Sequence, residues 1–223
     1  MRKLLKRIFV TFGLFLAVVP AAGAEVLRIT VLGDSLVQGY GLPQGEGLVP
    51  QLEAWLRAEG ADVALTNAGV SGDTTAGGVS RIDWTLADQP QGLIVLLGGN
   101  DLLRGLPPEQ SRANLDTIVT KAQAAGAEVM LIGMQAPLNY GADFKEKFDR
   151  IYSDLAEAHS AILHPSAFAG ITAEVGSDPA AAGPYMQADG IHPNAKGVAL
   201  NVGAMGPKVL ELVAQITDEA RSN

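Results

Sequence analysis

The chain has 223 residues, 48% of them hydrophobic, which gives room for one domain around a large core and is too apolar for a disordered chain. Its formal charge of −8 disfavours a nucleic-acid partner, because polyanions are held mainly through Lys and Arg contacts to phosphate. With no cysteine there is no disulfide, no thiolate nucleophile and no cysteine-ligated zinc, so the fold must rest on packing.

Residues 1–24 have the layout of a secretory signal. Arg2, Lys3, Lys6 and Arg7 form a charged head, residues 8–19 an apolar segment, and Ala22-Gly23-Ala24 a small-residue cleavage site. The apolar run is shorter than the about 20 residues a transmembrane helix needs. The expectation is therefore export to the periplasm or beyond, cleavage near Ala24 and no stable membrane insertion afterwards. Residues 25–223 are expected to form one domain, and a monomer is favoured. That segment holds 12 Lys and Arg against 24 Asp and Glu, a formal charge of −12. The absence of cysteine is compatible with export, since oxidising compartments permit disulfides without requiring them.

From there apolar runs alternate with segments of helical spacing, the pattern of a parallel sheet covered on both faces. The first predicted strand, 27–32, runs into Gly33-Asp34-Ser35. Leu48, Leu52, Trp55 and Leu56 fall on one helical stripe that Gly60 stops. A second strand at 63–66 leads into Asn67-Ala68-Gly69-Val70-Ser71-Gly72-Asp73, and a third at 93–97 into Gly98-Gly99-Asn100-Asp101. Residues 102–108 join leucines to Gly105 and a Pro107-Pro108 pair, so this segment offers apolar surface with a stiff stop. Pro108 suits the first turn of a helix lined by Leu115, Ile118, Val119 and Ala122 and ended by Gly126. Strands at 129–132 and 161–163 follow, and a last helix over 194–220 places Val202, Met205, Val209, Leu212, Val213 and Ile216 where they can cover the sheet.

Ser35, Gly72 and Asn100 each follow a predicted strand. In an open parallel sheet the carboxyl ends of the strands share one edge, where ligand sites form, so three distant segments converge there. A serine is a weak nucleophile and needs a base. Asp189-Gly190-Ile191-His192-Pro193 supplies an imidazole with a carboxylate three residues before it, in a stretch whose Gly190 and Pro193 interrupt regular structure; one local turn can bring the two together. Singly, each residue has a plainer reading: Ser35 as a helix N-cap, Gly72 as a turn residue, Asn100 as part of a strand-to-helix turn, His192 as a structural histidine, Asp189 as a cap. The order Ser…Asp…His also suits an α/β-hydrolase, but no Gly-x-Ser-x-Gly elbow surrounds Ser35. His159 and His164 have no partner at metal-ligand spacing, so no metal is expected and neither is a cofactor. Asp34, Asp73 and Asp101 are expected to hydrogen-bond the turns that carry the active groups.

Together the blocks around Ser35, Gly72, Asn100 and His192, taken in order, resemble the signature of the SGNH (GDSL) hydrolases, over nearly the whole chain after residue 24. Within that family the chain looks most like the small exported bacterial thioesterase I, lysophospholipase and arylesterase group, and the likeness extends to Leu102-Leu103-Arg104-Gly105-Leu106 and Pro137-Leu138-Asn139-Tyr140-Gly141. The resemblance implies a three-layer, flavodoxin-like α/β/α sandwich with strand order 2-1-3-4-5. It also implies Ser35, His192 and Asp189 as a catalytic triad, with the backbone N–H of Ser35, the backbone N–H of Gly72 and the amide of Asn100 as the oxyanion hole. Aryl esters, acyl thioesters and lysophospholipids are the substrates it suggests, with Leu103, Leu106 and Tyr140 as acyl-chain contacts. Two alternatives stay open: a carbohydrate O-acetyl esterase, for which only Trp55 and Trp84 are available as sugar platforms and both fall where helix packing explains them, and a catalytically silent binding protein on the same fold.

Overall fold

The computed structural model describes residues 26–176 and 178–222; the signal expected at 1–24 lies outside them. Strands β1 (Leu27–Gly33), β2 (Val63–Gly69), β3 (Gly92–Leu96), β4 (Glu128–Ile132) and β5 (Ile162–His164) form one parallel sheet in the order β2-β1-β3-β4-β5. The apolar runs read as strands because both faces are covered. On β3 and β4, Ile94, Leu96, Met130 and Ile132 point into one layer, and Leu93, Val95, Val129 and Leu131 into the other, the two-residue period of a strand.

The first layer is built by α2 (Leu48–Ala58), α7 (Ala169–Val175) and α8 (Ala195–Ser222); the second by α3 (Thr75–Thr85), α5 (Pro108–Ala124) and α6 (Ala142–His159). Helix α8 is long and apolar enough to cross a membrane by length and composition. Here its Val202, Met205, Val209, Leu212 and Ile216 are buried in the core. Trp55 packs in the same layer, whereas Trp84, expected at a helix contact, is 77% exposed at the end of α3. Its neighbours Ile82 and Thr85 supply the buried face of that turn, which leaves Trp84 on the solvent side.

Helices α3, α6 and α7 carried no clear prediction. α3 contains Gly77 and Gly78, poor helix formers, but a Cβ on Gly78 would stand 2.4 Å from Leu97 Cδ1, so the glycine lets α3 lie close on the sheet. α6 is charged on its outer face, and its Phe148, Ile151, Tyr152 and Leu155 fill the core at helical spacing. α7 spans only seven residues.

Candidate active site

Close packing at the sheet edge presents Ser35. A short helix, α1 (Ser35–Gln38), follows β1 immediately. A Cβ on Gly33 would meet Val37 Cγ2 at 2.2 Å, and one on Gly69 would meet Gln38 N at 2.2 Å, so only glycines at the ends of β1 and β2 let α1 sit on the sheet. Asp34, and not Ser35, is the N-cap: its Oδ1 accepts from Leu36 N at 3.0 Å. Ser35 is thereby left free to point outward at the first helical position.

The loop before α8 brings the imidazole to it. His192 Nε2 lies 2.8 Å from Ser35 Oγ, and His192 Nδ1 lies 2.7 Å from Asp189 Oδ2. The other Asp189 oxygen accepts the backbone N–H groups of Ile191 (2.9 Å) and His192 (3.0 Å). One aspartate thus caps the turn and faces the ring at once. These bonds, the His192 backbone N–H foremost, then the His192 ring and the Ile191 N–H, hold the Asp189 carboxyl down at about 2. An ionised Asp189 requires the ring proton on Nδ1, which turns the Nε2 lone pair toward Ser35. Gly190, at φ +66°, makes the tight turn. Gln187 pins it: its N–H donates to His192 O (2.8 Å) and its amide to Tyr40 O (2.8 Å) and Pro193 O (3.0 Å). The Tyr40 ring lies against the imidazole with centroids 4.8 Å apart.

Gly72 and Asn100 arrive from the ends of β2 and β3. Gly72 has φ +83°, a conformation that favours glycine, and its carbonyl accepts from Arg104 Nη2 at 2.8 Å. The preceding Ser71 is held through its N–H and hydroxyl by Gln38 Oε1. Asn100 lies in the first turn of α4 (Gly99–Leu103), and its Nδ2 donates to Asp34 Oδ2 at 3.2 Å. Asp34 is almost fully buried; burial pushes its carboxyl up, while the Leu36 N–H and the Asn100 amide pull it back. Asp101 is buried as well and accepts from Thr75 N, Thr75 Oγ1 and Ser111 Oγ, tying α3 and α5 to the Asn100 turn. Asp73 pairs with Arg81, whose guanidinium also holds the carbonyls of Gly33 and Ala68. All three aspartates brace turns, as the sequence suggested.

Ser35, Gly72, Asn100 and His192 line one cleft of about 450 Å³. Its apolar wall includes Leu102, Leu103, Met134, Tyr140 and Phe168. Leu103 and Tyr140, expected as acyl contacts, are thus in the lining; Leu106 is half-buried beside the cleft, with its N–H on Asp101 O, and is not in the lining. Met134 and Phe168 carried no sequence signal, since each is a lone apolar residue in a loop after a strand. Phe168 also borders a smaller cavity of about 20 Å³ behind Ser35 and His192. The remaining histidines lie elsewhere: His159 pairs with Asp116 and Gln123, and His164 is buried in β5. Among the described residues no group of three or more His, Asp or Glu is placed to hold a metal ion.

A hydroxyl, an imidazole and an ionised carboxylate in hydrogen-bonded sequence can move a proton off the hydroxyl as it attacks, with the carboxylate stabilising the imidazolium. The sequence profile of the GDSL-like Lipase/Acylhydrolase family matches residues 31–200. The chain is 41% identical over 171 residues to Esterase TesA of Pseudomonas aeruginosa, covering 76% of this chain and 81% of that one. It is 36% identical over 183 residues to thioesterase 1/protease 1/lysophospholipase L1 of Escherichia coli, covering 81% and 82%. A crystal structure of TesA superimposes with a TM-score of 0.74 at 38% identity, covering 83% of this chain and 99% of that one.

Proposed function

The chain belongs to the GDSL-like lipase/acylhydrolase family and is an ester hydrolase, and from that premise we propose that it works as a serine esterase through an acyl-Ser35 intermediate. What carries the assignment is the unbroken line from Ser35 Oγ to His192 Nε2 (2.8 Å) and from His192 Nδ1 to Asp189 Oδ2 (2.7 Å). His192 takes the Ser35 proton as Oγ attacks the acyl carbonyl, and gives it to the departing alcohol or thiol. A water then attacks the acyl-enzyme by the same route in reverse. The Ser35 and Gly72 N–H groups and the Asn100 amide stabilise the oxyanion. No step needs a metal or cofactor, so turnover is expected to survive exhaustive EDTA treatment.

The cleft supports esters and thioesters with an extended acyl chain, since Leu103, Met134, Tyr140 and Phe168 give it apolar walls. Aryl esters, acyl thioesters and lysophospholipids fit that chemistry. All the groups come from one chain, so a monomer suffices. We assign residues 1–24 to export, on their charged head and apolar run; acyl thioesters of the cytosol would then lie out of reach, and esters met outside it are the working substrates.

Ser35→Ala is expected to lower kcat/KM by at least about 10⁴-fold and to abolish fluorophosphonate labelling with the fold intact. His192→Ala should do the same, and the double variant should lose little more, because the members act as a unit. Near-normal turnover of p-nitrophenyl butyrate by folded Ser35→Ala protein would overturn the assignment.

A further inference from the structure

Exposed apolar side chains are concentrated at one place. Among the described residues, eight large hydrophobics are exposed; four of them, Tyr40, Leu103, Tyr140 and Ile191, line the cleft, and two more, Val70 and Leu138, adjoin lining residues along the chain. Val70 directly precedes Ser71 and Gly72, and Leu138, 70% exposed, sits between the lining residues Pro137 and Asn139. The two others, Val26 and Trp84, are isolated from it in the fold. The six come from five separate connections, those after β1, β2, β3 and β4 and the one before α8, so no single element's packing accounts for them. Scattered exposed apolar residues are ordinary on a protein surface; six of eight gathered at or beside one cleft are not.

We infer that this group is a docking collar for the surface of an uncharged or zwitterionic amphiphile aggregate, a micelle or bilayer from which the acyl chain passes into the cleft. Three observations select that occupant. The collar is continuous with the apolar cleft wall, so a chain sliding from the aggregate to Ser35 stays out of water. Its six side chains carry no charge, and two are tyrosines, whose apolar ring and polar hydroxyl suit a membrane–water interface. The whole chain carries −8, which repels an anionic surface and leaves neutral or zwitterionic headgroups. The esterase assignment bears only on what happens to the chain once it is inside; attachment does not depend on it.

The test separates the two. Ser35→Ala protein, which cannot degrade its ligand, is mixed with phosphatidylcholine vesicles and floated on a density gradient in low and in 1 M salt. Flotation is expected at both salt concentrations, weaker on phosphatidylglycerol vesicles, and reduced at least tenfold by adding Leu138→Asp and Val70→Asp. Trp84→Asp in the same background should float unchanged. In the active protein, Leu138→Asp with Val70→Asp should keep kcat/KM for soluble p-nitrophenyl acetate within about twofold while losing at least tenfold on micellar lysophosphatidylcholine. Failure of the Ser35→Ala protein to float, equal loss in Trp84→Asp, or release by 1 M salt would overturn the docking surface. So would a concentration-dependent dimer, without flotation, that Leu138→Asp dissolves, since the collar would then serve a second copy. Flotation with no esterase activity in the unmodified protein would instead overturn the catalytic assignment and leave the collar standing.

Discussion

At the scale of single residues, Asp34 does two jobs that pull against each other. Its carboxyl is buried, and burial raises its proton affinity; a group whose folded pKa is raised in this way costs stability once it ionises. Yet only an acceptor-only side chain can take both the Leu36 N–H and the Asn100 amide. In Asp34→Asn one of those donors meets an NH₂, and the simplest relief is rotation of the Asn100 amide, which turns its donor away from the proposed oxyanion position. The expected outcome is kcat lowered about 10²–10³-fold, the cost of one lost oxyanion donor, with an unchanged or higher Tm at pH 7. A fall in Tm without a fall in kcat would make Asp34 a purely structural residue. Asp189 behaves oppositely: held at about 2, it stays ionised far into acid and keeps its acceptor facing the His192 ring there.

At the scale of elements, α4 (Gly99–Leu103) connects the site to both the core and the solvent. Its Leu102 is buried and its Leu103 is 61% exposed at the cleft, one turn face each. Leu103→Ala should therefore cost octanoyl p-nitrophenyl ester about tenfold more in kcat/KM than acetyl ester, at up to about 0.8 kcal/mol per buried CH₂. Leu106→Ala, outside the lining, should penalise both alike; the reverse pattern would move the acyl path to the far side of this loop. Asp101 in the same helix anchors α3 and α5 through Thr75 and Ser111. Asp101→Ala leaves three buried donors without an acceptor, a loss of about 3 kcal/mol or more. For a chain of this size that lowers Tm by about 6–12 °C in a thermal melt.

At the scale of the whole molecule, acid stability turns on buried groups of opposite sign. His164 is buried in β5, its Nε2 finds no hydrogen-bond partner among the described residues, and burial, with Lys208 nearby, lowers its proton affinity below the usual 6.5. The unfolded chain then binds a proton that the folded one refuses, so stability falls as pH drops below about 6.5 toward the lower folded value. Asp189 adds a second loss between about 3.8 and about 2, where its depressed pKa lets the unfolded state protonate first. Asp34, with its raised pKa, works the other way and softens the fall. His164→Leu should flatten Tm against pH immediately below 6.5 and leave the loss near pH 3 intact. An unchanged slope below 6.5 would show that His164 is not the group responsible.

The sequence by itself determined the parallel sheet and the order of the site blocks, because both are written in local chemistry. Strands buried on both faces must be apolar runs, and Gly33, Gly72 and Gly190 mark turns that a side chain would obstruct or strain. Strand limits moved by one to three residues, as at β2, which runs on to Gly69 because it pairs with β1 along its full length. What only the tertiary structure decided was contact between segments far apart in the chain. The glycine-containing α3 is a helix because Leu97 and Ile118 pack on it, Trp84 faces solvent because Ile82 and Thr85 fill the buried side, and Asp34 reaches Asn100 across 66 positions. Met134 and Phe168 become cleft wall, and Val70 and Leu138 part of an exposed collar, for the same reason: an apolar residue in a loop carries no period, so whether it is buried, lining or exposed depends on which other loops share its edge of the sheet.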